Sequence, residues 1–114
     1  MKLIVAIVRP FKVAEIVDAV EADPDFPGMS VLDCRGFGRE KTVPHRHRPE
    51  EDVTDFVDRQ AVIVAAPDSA AAGVAQRIAQ VAHTGQPGDG KVFILPLESA
   101  RRIATGETGE DALR

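Results

Sequence analysis

A strand and a helix are predicted in direct succession within LIVAIVRPFKVAEIVDAVE, residues 3–21. Residues 3–8 are apolar throughout and rich in β-branched side chains, a pattern that is typical of a central strand. Arg9-Pro10 ends this strand, because proline has no backbone N–H to donate to a ladder. From residue 11 to residue 21 the apolar side chains recur at helical spacing, at Val13, Ile16, Val17 and Val20. The stretch therefore predicts one strand followed by one amphipathic helix.

The rest of the chain supplies three more strands and a second helix. The strands are predicted at residues 29–35, 56–66 and 91–95. Pro67-Asp68-Ser69 is a helix-start signal, and the helix that follows ends at Thr84-Gly85. The resulting order is βαββαβ, and two helices on one face of an antiparallel sheet make an α+β fold of the ferredoxin-like type.

One domain accounts for the chain, because 114 residues lie within the usual range for a single core. We expect it to span residues 1–114, with a long mobile loop at 39–55 and a C-terminal tail at 101–114. The core must be built from aliphatic residues, since the chain has five Phe and no Trp or Tyr. Such a core is marginal by itself, and the uncovered sheet face would stay wet unless subunits pack their sheets together. Self-association is therefore expected.

Charge and cysteine content exclude several classes of protein. The net charge is −4, whereas a nucleic-acid-binding protein normally presents a basic face to phosphate, so we expect no nucleic-acid partner. Cys34 is the only cysteine, so the chain forms no internal disulfide, which suits a reducing compartment. No apolar run approaches the roughly 20 residues that span a bilayer. We therefore expect a cytoplasmic protein that does not insert into membranes.

Residues 39–55 have no apolar periodicity and are rich in charge, with basic residues early and most acidic residues late. A loop of this length inside a small domain is usually functional or disordered. Within it, His45 and His47 form a His-x-His pair that is able to offer two ligands to a divalent metal. Histidines flanked by arginines are more often part of a solvated segment, and both interpretations stay open on the sequence alone.

Three short segments combine a turn or a chain end with positive charge. They are TGQPGDGK at 84–91, the step Gly36-Phe37-Gly38-Arg39 and the pair Arg101-Arg102. Glycine lets backbone N–H groups approach an anion closely, and Lys91 is able to neutralise a phosphate charge. The same glycines are also typical of hairpins and helix C-caps, and surface arginines are commonly just solvated. In an acidic protein the three clusters nonetheless favour one polyanion site.

These segments, together with the opening of the chain, resemble the PII nitrogen-regulatory proteins. The resemblance rests on KLIVAIVRPFK at 2–12, GFGR at 36–39, TGQPGDGK at 84–91 and TGE at 105–107, in order along nearly the whole chain. It implies a homotrimer that binds ATP or ADP in clefts between subunits. The residues that would contact the nucleotide are Gly36, Gly38, Arg39, Gly88, Asp89, Gly90, Lys91 and Arg102, with Ser30 and Val64 near the adenine.

The resemblance also implies a regulator of nitrogen metabolism without enzymatic turnover. Nucleotide occupancy would order or release the loop at 39–55, which would dock on a target transporter or metabolic enzyme. A loop that switches between order and disorder in this way reports which ligand is bound.

Three departures from the family pattern change the expected ligands. Glu40 stands where relatives carry a Gln that helps to hold Mg²⁺ and 2-oxoglutarate, and its charge repels a dicarboxylate unless a metal intervenes. Ala104 replaces the second arginine of an Arg-Ile-Arg tail, so weak discrimination of ATP from ADP is expected. The chain has no Tyr, which excludes tyrosine uridylylation of the loop.

Two other functions stay open beside the leading one. A PII-like regulator of inorganic-carbon (bicarbonate) or metal transport is compatible with Glu40, Ala104 and the missing Tyr, and Glu40, His45 and His47 are weak candidate metal ligands. A small nucleotide-hydrolysing enzyme is also compatible with the fold, because fold does not determine function. No Ser-His-Asp or Cys-His arrangement supports that enzyme in the sequence.

Overall fold

A computed structural model describes residues 1–38 and 56–114 of the chain. The described residues form a four-stranded antiparallel sheet and two α-helices. The strands are β1 (Lys2–Val8), β2 (Ser30–Gly36), β3 (Val57–Ala66) and β4 (Lys91–Pro96), and the helices are α1 (Val13–Glu21) and α2 (Asp68–Ala82). The strand order across the sheet is β2-β3-β1-β4. The prediction of an α+β, ferredoxin-like βαββαβ fold is confirmed.

The first helix begins two residues later than its sequence pattern predicts. Pro10–Lys12 forms a single 3₁₀ turn, and α1 begins at Val13. The turn is closed by a hydrogen bond in which the Lys12 amide donates to the Arg9 carbonyl over 3.0 Å. Proline at the first position suits this turn, because its fixed φ matches helical geometry and its missing N–H needs no partner there.

The central strand β1 pairs with β3 on one side and β4 on the other. Alternate residues of β1 and β3 point toward the helices and are buried, and the side chains between them point to the opposite face. The helix-side core consists of Ile4, Ala6, Val8, Val62, Val64 and Ala66 from the sheet and Ile16, Val20, Ala71, Val74, Ala75, Ile78 and Ala82 from the helices.

The opposite face of the sheet carries apolar side chains that neither α1 nor α2 covers. We call it the open face; it comprises Leu3, Val5, Ile7, Leu32, Ala61, Ile63, Ala65, Phe93 and Leu95. Leu32 is 50% exposed, Phe93 is 47% exposed and Leu95 is 43% exposed, although each is a large hydrophobic residue. A contiguous apolar surface of this kind usually marks a contact with another protein surface.

Neither α1 nor α2 is both long enough and apolar enough to cross a membrane, and the same holds for every helix in the described ranges 1–38 and 56–114.

Candidate anion-binding site

The glycine-rich and cationic segments lie at one end of the sheet. Lys91, the first residue of β4, is in register with Ile7 near the end of β1, and Gly36 ends β2 opposite Val57. Because β2 and β4 are the two edge strands, three strand spacings separate them, about 14 Å. Gly36 and Lys91 therefore share an end of the sheet but do not meet in one subunit.

Residues 84–90, which we call the anion loop, are organised around the carboxylate of Asp89. The Thr84 amide donates to Oδ2 over 2.7 Å and the Gly85 amide donates to the same oxygen over 2.9 Å. The Thr84 hydroxyl donates to Oδ1, and its own oxygen accepts the Gln86 amide at 3.2 Å. The hydrogen bonds from the Thr84 side chain and backbone, with those from Gly85 and Arg9, hold the pKa of Asp89 well below its usual range.

Arg9 attaches the anion loop to the central strand. Its Nε donates to Asp89 Oδ1 over 3.2 Å, and its Nη2 donates to the Pro87 carbonyl over 2.8 Å. The two side chains of the ion pair are only 18% and 21% exposed. The loop is thus held to the end of β1 by a partly buried, two-point contact.

Gly90 makes the second attachment, through its backbone. It has a φ of +101°, and a Cβ built on it would lie 1.7 Å from the Ile7 carbonyl oxygen. Only glycine accommodates both the positive φ and the close approach to β1. The sequence presents the glycines of this segment only as a possible anion cradle or helix cap. In the structure, Gly90 also has a packing role against β1.

Lys91 follows the anion loop directly and is exposed. No described residue forms a hydrogen bond or an ion pair with its amino group. A cation without a partner among the residues that the structure describes, next to a loop whose shape is already established, is available to an anionic ligand.

The structure places the other predicted contact residues at separate points. Ser30 is exposed at the start of β2, about 20 Å along the strand from Gly36. Arg102 lies in the tail, which leaves the sheet beyond Pro96, at the opposite end of β4 from Lys91. There its amide donates to the Glu107 carbonyl over 2.9 Å, and its Nε lies 3.9 Å from Glu107 Oε1. These residues are not gathered into one cleft within a single subunit.

Two further predicted contacts, Val64 and Asp89, have side chains that are already engaged within the protein, and their predicted roles in nucleotide binding stay predictions. The Val64 side chain is 1% exposed and packs in the helix-side core. Its neighbours Ile63 and Ala65 point to the open face instead. Both carboxylate oxygens of Asp89 already accept hydrogen bonds from protein groups.

Several candidates lie outside the described residues. They are Arg39, Glu40, His45 and His47, so their predicted roles in nucleotide or metal binding stay predictions. Within residues 1–38 and 56–114, no three or more His, Cys, Asp or Glu side chains are grouped in a way that would hold a metal ion.

Sequence reasoning missed two cations at the same end of the sheet, Arg9 and Arg59. Arg59 lies opposite Cys34 in the β2–β3 pairing, and its Cγ would be 3.6 Å from a Cβ built on Gly36. Burial, and then the charge of Arg9, lowers the pKa of Arg59, which places the two guanidinium groups in each other's field. Arg59 also lines a cleft of about 450 Å³ together with Pro10 and residues of β2 and β3. In the sequence, the only feature that would have indicated Arg59 as a site residue is its position in a strand predicted to lie beside the glycine step at Gly36.

Comparison with known proteins gives a consistent result over the whole chain. The family model described as "Nitrogen regulatory protein P-II" matches residues 1–107. The chain is 41% identical to a nitrogen regulatory protein P-II of Azospirillum brasilense over 99% of this chain and 100% of that protein. It is 40% identical to the nitrogen regulatory protein GlnK2 of Haloferax mediterranei over 99% of this chain and 91% of that protein.

A solved structure agrees with the sequence comparisons. The crystal structure of Arabidopsis thaliana PII bound to citrate superposes with a TM-score of 0.78 at 30% identity, covering 97% of this chain and 90% of that one. The names of the relatives support nitrogen regulation over the carbon-transport, metal-transport and hydrolase alternatives. The chain belongs to the nitrogen regulatory protein P-II family, and it is a signalling regulator of nitrogen metabolism and not an enzyme.

Proposed function

We propose that this regulator binds ATP or ADP between the subunits of a homotrimer, with the phosphates at the anion loop and Lys91. The observation that carries the proposal is the exposed amino group of Lys91, which has no partner among the described residues and directly follows a loop of preset shape. In the proposal, the remaining contacts to the nucleotide come from Gly36, Gly38, Gly88, Gly90, Arg39 and Arg102. Mg²⁺ accompanies the phosphates where Glu40 and the nucleotide together hold it.

The trimer is supported by the open face and by the separation of the site's parts. Leu32, Phe93 and Leu95 expose apolar surface that a second and third sheet would cover. Gly36 and Lys91 lie on opposite edge strands, and in the proposed trimer the ligand takes these segments from two different copies. An incomplete site in each subunit links ligand binding to assembly.

In the proposed signalling step, residues 39–55, which lie outside the described part of the chain, contact a target transporter or metabolic enzyme in the cytoplasm. Gly36 and Gly38 directly precede these residues in the sequence, so a phosphate bound at the glycine step is adjacent to the segment that would contact the partner. Control of a nitrogen-metabolism partner by such a loop follows from the family's regulatory role and needs no chemical turnover.

Calorimetric titration with ATP, ADP and AMP tests the proposal. We expect saturable binding of ATP and ADP, and Lys91→Ala is expected to weaken it about tenfold or more, because hydrogen bonds to charged groups contribute roughly 1.5–3 kcal/mol. Lys2→Ala is the matched control, since Lys2 is in register with Pro96 at the far end of the same sheet. A wild-type protein that binds neither ATP nor ADP, or a Lys91→Ala variant with unchanged affinity, refutes the nucleotide site.

A further inference from the structure

We propose that Arg9 is a positioning residue for the anion loop and that it acts through Asp89 to hold the loop in the shape that receives phosphate. The inference rests on the proposed nucleotide site and assigns different roles to its residues. Lys91 supplies the charge that attracts the ligand, whereas the Arg9–Asp89 pair supplies the shape.

The anion loop depends on side chains for its conformation. Among the described residues, no backbone-to-backbone hydrogen bond outside the helices and strands involves residues 84–90. Gly85, Gly88 and Gly90 all have positive φ, and glycine leaves an unsupported loop many alternative conformations. The contacts that select one of them converge on Asp89, which accepts from Thr84, Gly85 and Arg9.

Arg9 is the member of this network that lies outside the loop. It follows β1, and its guanidinium reaches both Asp89 and the Pro87 carbonyl. Without Arg9 the Asp89–Thr84 contacts would remain, but the loop would be attached to the sheet mainly through Gly90 and Ile7. A ligand would then have to restore the loop's position at a cost in conformational entropy, which lowers affinity.

The charges of the pair give the inference a sharp test. Arg9 and Asp89 neutralise each other, and the Arg9 donors that the structure accounts for point at protein acceptors. If the two residues acted on phosphate only through their charges, Arg9→Gln would weaken ATP binding and Asp89→Asn would strengthen it. If they position the loop, both substitutions weaken it.

The experiment measures ATP affinity in Arg9→Gln, Arg9→Lys, Asp89→Asn and the double variant Arg9→Gln/Asp89→Asn. We expect each of Arg9→Gln and Asp89→Asn to weaken binding about tenfold, and the double variant to be no weaker than the worse single variant, because the two changes remove one contact. Arg9→Lys is expected to restore part of the loss, since Lys keeps the charge but cannot donate to Asp89 and Pro87 in the same fork.

A second readout separates this inference from the nucleotide proposal. Hydrogen exchange of the Thr84, Gly85 and Gln86 amides in the ligand-free protein is expected to speed up in Arg9→Gln and Asp89→Asn, whether or not nucleotide binds. Arg77→Gln is the control, because it breaks an Arg–Asp pair of 3.6 Å between Arg77 and Asp23, away from the loop. Tighter ATP binding by Asp89→Asn, or unchanged amide exchange in Arg9→Gln, overturns the inference.

Discussion

Arg9 and Asp89, eighty positions apart in the chain, form an ion pair in which Arg9 Nε donates to Asp89 Oδ1 over 3.2 Å. The pair joins the end of the central strand β1 to the loop that leads into β4. Gly90 touches the Ile7 carbonyl beside it, so side-chain and backbone contacts attach the loop at neighbouring points. The fold thereby presents Lys91 on a rigid support, which is what a binding site for a small anion requires.

Acid should remove the contribution of Asp89 to stability. Its folded-state pKa lies below the unfolded value, so the stabilisation is fully present above the unfolded pKa of about 3.9 and is lost as the pH falls toward the folded pKa. We expect the melting temperature of Asp89→Asn to lie below that of the wild type from pH 7 to about pH 5. The difference between the two melting temperatures should then narrow progressively as the pH falls below about 4.

The comparison is made in a background that lacks the His83 side chain, because His83 also lies close to Asp89. His83 Nδ1 lies 3.9 Å from Asp89 Oδ2, so both proteins should carry His83→Gln. A gap between the two melting temperatures that is equally large at pH 3 and pH 7 would show that the carboxylate's charge is not what stabilises the loop.

Gly90→Ala should destabilise the protein more than Gly28→Ala. The two glycines have nearly equal φ values of +101° and +104°, so the backbone strain of adding a side chain is matched, at roughly 1–3 kcal/mol. Only Gly90 adds a clash, because its Cβ would lie 1.7 Å from the Ile7 carbonyl oxygen, whereas no atom lies within 4 Å at Gly28. Urea unfolding of both variants measures the difference, and equal losses would contradict the close approach to β1.

The elements of this fold are predictable from local patterns. The all-apolar run at 3–8 predicts a central strand, and β1 is indeed paired on both sides. The helical spacing of Ile16 and Val20 predicts the side of α1 that enters the core. Turn signals at Gly36 and Gly85 lie within a few residues of the observed boundaries. Each of these features depends on neighbours in sequence, which periodicity and turn chemistry report directly.

The candidate site was less accessible to the same reasoning. The burial of the Val64 side chain was not evident from the sequence, because successive strand residues face opposite sides and a shift of one position moves a side chain from the open face into the core. The Arg9–Asp89 pair has no local signature, since its members are joined only by the pairing of β1 with β4. Glycine-rich composition indicates an open loop, but it does not reveal which carboxylate holds the loop in place.

Substitutions on the open face should dissociate the proposed trimer. Phe93 and Leu95 are in register with Val5 and Leu3 of β1, and we expect Phe93→Ser/Leu95→Ser to lower the solution mass from about three times the 12.2 kDa chain toward a single chain. Loss of two large apolar contacts per subunit removes several kcal/mol of burial. Light scattering after size exclusion measures the mass. Phe11→Ser is the control, because Phe11 is 65% exposed and lies outside the open face.

Restoring the missing cation of the tail should alter nucleotide preference. Ala104 is exposed in the turn that the tail makes between Arg101 and Thr108, whose backbones form an isolated bridge. An arginine at this position would add a group suited to the terminal phosphate, so we expect Ala104→Arg to raise the ratio of ATP to ADP affinity by about tenfold. Ile103→Arg is the matched control, because Ile103 is 98% exposed in the same turn and the substitution adds the same charge. Calorimetry with ATP and ADP measures the ratio of the two affinities in both variants. An equal change of this ratio in Ala104→Arg and Ile103→Arg would show that the added charge acts at a distance and that position 104 does not face the phosphate.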